Sequence, residues 1–350
     1  MTGQTQHSLT MASSPNILIF GLGAVGSTYG MLLSGAGCTI TAVCRSNYAA
    51  VKDNGILIRS PLWNHQTYHP RAVQTVAEAA ADGKPYDYII VASKAFPGTA
   101  EQIRDAVTPG QTAIVLAQNG IGIEQAYAEL YPKNTIISGV VYLPVTQVSP
   151  GVIEHATTLQ RFEIGLYPSS SSTNSNNAQS QIQTVSTLWT AGGAHAPIFP
   201  DVQPTKWKKL AINAAWNPIS ALTVCDDANY LRSGPESEAA IRMIMSEVGL
   251  VATASGYPDV ITREFIEQDM ERPRERLVTG GKEPSMLVDV HTGRQMEVEA
   301  ILGNVVRMAE ALGLREKVPG LRLLYALVKA RGFSLLKPEG EEGWKPIARH

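Results

Sequence analysis

Charge is missing from the start of this chain. The first 44 residues hold no Lys, Arg, Asp or Glu, and Arg45 is the first charged side chain. A mitochondrial presequence needs arginines and a secretory signal needs a positive start, so neither is expected. Cysteine is scarce too: Cys38, Cys44 and Cys225 are too few and too scattered for a disulfide framework or a zinc site. That fits a reducing, cytoplasmic setting with no metal. A basic excess is also lacking. Lys and Arg total 29 against 31 Asp and Glu, leaving a net charge of −2. Nothing drives phosphate-backbone binding, and a nucleic-acid partner is not expected. The uncharged run from Pro15 to Cys44 contains six glycines and breaks into a strand pattern, a turn and a helix pattern. It therefore reads as soluble core, and no membrane partner is expected. A second uncharged run, Thr135–Ile153, is interrupted by Pro144 and Pro150.

The 350 residues suggest about two domains at roughly 100–200 residues each, and 44% of them are apolar. Asn16–Phe20, Cys38–Cys44, Tyr88–Ala92 and Thr112–Leu116 read as apolar strands. Ala24–Gly35, Gly98–Ala106 and Ile123–Leu130 read as helical segments between and after them. Such alternation implies a parallel sheet with crossover helices. Residues 136–166 are β-rich, and Ser169–Ser180 is a Ser/Asn-rich stretch expected to be a surface loop. Beyond Asp201 strand-like runs vanish. Lys206–Thr223, Glu236–Ser255, Glu297–Leu312 and Gly320–Ala330 show helical periodicity. The expected fold class is α/β: a Rossmann-type doubly wound sheet over 15–200, then a mostly α-helical domain over 201–336. Residues 1–14 and 337–350 are expected to be tails.

Gly21-Leu22-Gly23-Ala24-Val25-Gly26 follows a strand and opens a helix. The first glycine allows the tight turn, the second lets backbone approach a pyrophosphate, and the third lets helix and strand pack. The helix start offers free N–H groups to the phosphates. The other reading is a glycine-rich turn with no ligand. At the end of the second strand an NAD site wants a carboxylate. This chain has Arg45 there, 19 residues after Gly26, and no acid before Asp53. A guanidinium there pairs with a 2′-phosphate, so NADP (as NADPH) is expected over NADH. Otherwise Arg45 is a solvated loop residue.

Five blocks now stand in order: Gly21–Gly26; Ser93-Lys94-Ala95; Gln118-Asn119-Gly120-Ile121-Gly122; Lys209 through Asn213 to Asn217-Pro218; and Ser285-Met286-Leu287-Val288-Asp289, with Glu297 twelve residues after Ser285. In this the chain resembles the ketopantoate reductase (2-dehydropantoate 2-reductase) family over roughly residues 15–332. The resemblance implies a Rossmann domain, a helical domain and an active site between them. It also implies reduction of the 2-dehydropantoate ketone by NADPH, giving pantoate for pantothenate biosynthesis. The partner is then a small 2-oxo acid, and a homodimer is left open.

Steps of four residues place Lys209, Asn213 and Asn217 on one helical face. Asn is a poor helix former, so two of them among Ala, Leu, Ile and Trp ask for a reason. Ligand binding is one; a solvated stripe beside Lys206 and Lys208 is the other. The resemblance makes Lys209 the general acid and both asparagines substrate contacts. An ammonium can stabilise negative charge growing on a ketone oxygen and donate the proton. Glu297 in a first helical turn has a default explanation in the helix dipole; the resemblance makes it an active-site carboxylate, with Glu299 the nearby decoy. Ser285 either donates to the substrate carboxylate or caps the helix before Met286. Asn119 follows a strand end, where loops face the cofactor crevice, though Asn-Gly is also a common turn pair. Lys94 has the same placement and serves a cofactor or substrate anion, or is an ordinary surface lysine.

One departure stands out. The family carries an Asn in an Asn-Gly-Glu-Leu-like segment. Here Cys225-Asp226-Asp227-Ala228-Asn229-Tyr230-Leu231 occupies that place, with Asp227 in direct register and Asn229, taken as the substrate contact, after a small shift. An inward acid there would disfavour an anionic substrate. This keeps a different branched 2-oxo acid as an alternative; a non-catalytic NADPH sensor is a third reading, which Lys209 and Glu297 in family register argue against.

Overall fold

The computed structural model describes residues 14–169 and 176–335. The expected tails, Ser14 apart, lie outside these residues, as does 170–175 of the expected Ser/Asn loop. The chain forms two compact units. The first holds residues up to Ser93, Ala100–Gln118 and Ala126–Pro200; the second holds Lys94–Thr99, Asn119–Gln125 and residues from Asp201 on.

The first unit runs β1 (Asn16–Phe20), α1 (Ala24–Gly35), β2 (Thr39–Val43), α2 (Tyr48–Asn54), β3 (Ile56–Ser60), β4 (Asn64–Tyr68), β5 (Arg71–Val73), α3 (Val76–Ala80), β6 (Tyr88–Val91), β7 (Ala113–Leu116), α4 (Glu124–Leu130, whose first residues belong to the second unit), β8 (Ile136–Tyr142), β9 (Val145–Ser149), β10 (Val152–His155), β11 (Arg161–Tyr167) and α5 (Asn176–Ala191). Seven strands pair in the order β11-β8-β7-β6-β1-β2-β5. All neighbours are parallel except β11, which runs antiparallel to β8. The central strands are apolar on both faces, as parallel strands covered on both sides must be. Strand order reverses between β1 and β6, the position where such sheets bind ligands beyond the carboxyl ends of their strands. Register pairs Phe20 with Val91, so Gly21 and Ser93 leave the sheet near one another.

A second sheet, β4-β3-β10-β9, was not expected from the sequence. It packs with α5 around α1, in which every residue from Gly26 to Leu33 is buried. A helix apolar all round belongs in a core. Tyr29 from α1 sits against Phe162 and Trp189, with ring centroids 5.2 Å from each.

Three local expectations need correction. Helix α5 starts at Asn176, so residues 176–180 are not loop. Burial of Ala178, Ile182, Val185, Leu188 and Trp189 on one stripe outweighs the weak helix propensity of its Asn and Ser residues. Of Gly98–Ala106, only Glu101–Ala106 is helical, as a 3-10 turn. Glu297 immediately precedes its helix: Val298 is the first helical residue, Glu299–Gly303 is a π-turn, and α11 (Asn304–Ala311, numbered after the helices below) continues it.

The second unit is helical: α6 (Gln203–Thr223), α7 (Asp227–Arg232), α8 (Pro235–Ala254), α9 (Arg263–Thr279), α10 (Ser285–His291), then α11 and α12 (Pro319–Leu335). Its centre is α6, packed by α8, α10 and α12. Leu210, Ala211, Ala214, Ala215, Ile219 and Ala221 are buried there. No helix among the described residues is long and apolar enough to cross a membrane.

Candidate active site

The glycine turn fits a dinucleotide. Gly21 has φ +96°, and a Cβ there would lie 2.4 Å from the Ser93 backbone nitrogen. Gly26 is locked by packing: its Cβ would meet the Gly21 carbonyl oxygen at 2.2 Å. Gly23 alone faces open space, with nothing within 4 Å of a Cβ. Two glycines thus shape the turn and the third leaves room for a ligand backbone. Gly23 is also the N-cap of α1 and provides no side-chain cap, so the first N–H groups of a twelve-residue helix are left for an anion.

Arg45 is exposed just past β2, its Nη2 donating to Gln102 Oε1 at 2.9 Å. Asn47, two residues on, is buried and donates from Nδ2 to the Leu22 carbonyl at 2.9 Å. It also exchanges two 3.0 Å hydrogen bonds with Gln147 of β9. Asn47 therefore braces the glycine turn, a role not foreseen in the sequence.

The second unit gathers the acid–base groups. Glu297 is 8% exposed. Its Oε1 accepts from the Ala95 backbone N–H at 2.9 Å and its Oε2 from Asn119 Nδ2 at 3.4 Å. Burial pushes the Glu297 carboxyl above the usual range, while those two donors and the nearby Lys94 pull it back. Lys209 is part-buried on α6. Desolvation brings its ammonium down to about 8; Glu297 works against that shift and Lys206 adds to it. The expected acid and carboxylate thus lie within one another's electrostatic reach.

The competing lysines are separated by their surroundings. Lys206 is buried in an ion pair with Glu124, Nζ to Oε1 2.5 Å, and Lys208 is exposed, over the Phe265 ring at 5.7 Å. Glu299, the decoy acid, binds Arg307 and Tyr325. Asn213 is part-buried and Asn217 is 4% exposed. Neither amide makes a side-chain hydrogen bond among the described residues. Neither amide's atoms are among the fully buried ones that lack a partner, so both amides remain within reach of a ligand.

Other expected residues are already engaged. Lys94 pairs with Asp289 Oδ2 at 2.7 Å and donates to the Gln295 carbonyl at 2.5 Å. Its charge therefore offsets a buried carboxylate whose pKa burial raises. Ser285 is exposed and does not cap: Pro284 holds the N-cap position of α10 and no side chain caps it. Asn229 is exposed and tied at both ends of its amide, Nδ2 to Asp226 Oδ2 at 2.8 Å and Oδ1 from Arg232 Nη1 at 2.7 Å. Asp227 is buried and bridged to Arg276 at 2.7 Å, and it accepts from the Lys282 backbone N–H at 2.7 Å. Its negative charge is neutralised in place, so the feared repulsion of an anionic substrate loses most of its force. Among the described residues no cluster could hold a metal ion.

Two family models match the chain. The one described as Ketopantoate reductase PanE/ApbA covers residues 17–169, and the one described as Ketopantoate reductase PanE/ApbA C terminal covers 201–332. The Meiotically up-regulated gene 72 protein of Schizosaccharomyces pombe is 27% identical across 96% of this chain, which spans 61% of that protein's length. The crystal structure of 2-dehydropantoate 2-reductase from Methylococcus capsulatus is 33% identical, with TM-score 0.76, covering 93% of this chain and 99% of that one. A D-mandelate dehydrogenase solved with NADH and anilino(oxo)acetate shares the fold at TM-score 0.77 and 20% identity, over 91% of this chain and 99% of that one.

Proposed function

The chain belongs to the ketopantoate reductase PanE/ApbA family, a family of NADPH-dependent oxidoreductases acting on 2-oxo acids, and from that premise we propose that it reduces 2-dehydropantoate to pantoate. The glycine turn would hold the dinucleotide, with Arg45 for its 2′-phosphate, and NADPH bound there would supply the hydride. As the ketone carbon is reduced, charge grows on its oxygen. The Lys209 ammonium stabilises that charge and delivers the proton. Glu297, held by the Ala95 N–H and Asn119, accepts from a substrate hydroxyl and keeps Lys209 charged. Asn213 and Asn217 hold the substrate with amides that the protein leaves open, and Ser285 donates to its carboxylate. Lys94 and Asn229 act as scaffold through Asp289 and Asp226.

The observation that carries the reading is the Lys209–Glu297 couple in family register, with Glu297 buried and desolvation bringing the part-buried Lys209 ammonium down to about 8. Lys209→Ala should lose at least about a hundredfold in turnover and keep its NADPH dissociation constant. Unchanged turnover in that variant rules the reading out. Protein that binds NADPH yet oxidises none with any 2-oxo acid is a sensor instead. A second reading has its own support: Asp227 and Asn229 are both consumed by neighbours, so the amide contact expected there is not on offer. That favours another branched 2-oxo acid, and kcat/KM for 2-dehydropantoate against such acids separates the two.

A further inference from the structure

Lys206 and Glu124 bury a full ion pair, with side chains 2% and 1% exposed and 2.5 Å apart. Such a pair is a poor way to gain stability. Desolvating both charges is costly in general, and apolar replacements are often neutral or stabilising. Its location offers a better reason. Lys206 lies one turn before Lys209 on α6, and Glu124 ends a short segment that begins at Asn119. That segment is seated firmly at its other end. Gly120, at φ +102°, packs so closely that a Cβ would come within 2.5 Å of the Ala300 carbonyl oxygen. The Ile121 carbonyl accepts from Asn304 Nδ2 at 2.6 Å, and Asn119 donates to Glu297. Gln203 of α6 adds a 3.1 Å hydrogen bond to Glu124 Oε1.

We propose that Lys206 and Glu124 are positioning residues for the reduction: their ion pair clamps the Asn119–Glu124 segment to α6 and so fixes the Lys209 ammonium relative to the Glu297 carboxylate. The inference rests on Lys209 being the acid. The clamp joins the helix that carries the acid to the segment whose Asn119 holds the carboxylate. A proton donor displaced by about 1 Å can cost on the order of a hundredfold in rate, so a buried charge pair placed to prevent that displacement has a function beyond stability. Lys206 also carries a like charge close to Lys209, which makes Lys209 the stronger acid.

The test is the apolar pair Lys206→Met with Glu124→Leu in the full chain, beside Glu124→Gln alone and Lys209→Ala. Thermal melts report the fold, NADPH fluorescence titration reports the cofactor, and steady-state rates with 2-dehydropantoate separate kcat from KM. The expected result is an NADPH dissociation constant within about twofold of wild type, a similar KM, and kcat reduced about tenfold or more. If the double variant does not fold, Glu124→Gln is judged by the same criterion. A folded variant with kcat within about twofold of wild type, while Lys209→Ala is inactive, overturns the clamp and leaves the acid assignment standing. An active Lys209→Ala instead removes the premise.

Discussion

Raising the pH through the Lys209 window should switch off reduction while the fold gains stability. Lys209 falls from an ordinary 10.5 to about 8, because burial disfavours the ammonium more than Glu297 supports it. As general acid it must be protonated. It is then about nine-tenths competent at pH 7, about half at pH 8 and about a tenth at pH 9. An unburied lysine would hold its plateau to about pH 10. The oxidative direction needs the free amine and should rise over the same interval. The stability sign is opposite to that of a salt-bridged group. Between about 8 and 10.5 the unfolded chain binds a proton here that the folded one does not, so stability contributed by this residue increases with pH. Below about 8 the buried ammonium costs the fold on the order of 3 kcal/mol, at about 1.4 kcal/mol for each step in pKa. Lys209→Met should therefore melt at a higher temperature at pH 7 while losing turnover. The assay is nicotinamide absorbance against time, with kcat/KM for the oxo acid taken from about pH 6 to 10. Glu297→Gln removes a negative charge that supports the Lys209 ammonium, so its alkaline limb should move to lower pH. A rate that stays level to pH 10 in wild type would refute the assignment of Lys209 as a buried acid.

Three further outcomes test the cofactor site. Arg45→Ala should raise the NADPH Michaelis constant about tenfold or more and leave NADH kinetics nearly unchanged, since Arg45 is exposed and, among the described residues, its side chain hydrogen-bonds to Gln102 alone; equal losses with both cofactors would place the 2′-phosphate elsewhere. Gly23→Ala should keep the wild-type melting temperature but weaken NADPH binding, because a methyl there meets no protein atom within 4 Å. Gly26→Ala should destabilise the turn itself, because its methyl strikes the Gly21 carbonyl.

Much of the first unit can be read along the chain. Strand β1 and helix α1 match the sequence reading residue for residue, because an apolar run, a glycine turn and a second apolar run are all local signals. Strands β3 to β5 are not legible in this way. Four of the five residues of β4 are exposed, and a polar edge strand has no alternation to detect. Helix α9 is charged on most sides and buries only Ile266, Met270 and Pro273, so its periodic signal is faint. In the site, spacing alone marks the Lys209, Asn213, Asn217 stripe, and the family resemblance supplies the roles. The pairings that hold the site together are invisible in sequence because they are long-range. Asn47 meets Gln147 across 100 residues, and Asn119 meets Glu297 across 178. Asp289 lay within a recognised block, yet only geometry shows that Lys94 is its counter-ion.

The buried polar groups of the helical unit divide by whether the protein answers them. Lys206 has Glu124, Asp289 has Lys94 and Arg294, Asp227 has Arg276 and a backbone N–H, and Glu247 accepts from the Gly320 and Leu321 N–H groups that open α12. In each of these the desolvation is offset by a fixed partner. Asn217 is different: the residue is 4% exposed and its amide makes no side-chain hydrogen bond among the described residues, yet its polar atoms are not among the fully buried unpartnered ones and so stay accessible. An alanine or leucine at that place would make the better helix and the better core. The amide therefore makes physical sense as one half of an interaction completed by something outside the chain. It lies on the same helical stripe as Lys209, whose proton burial has loosened.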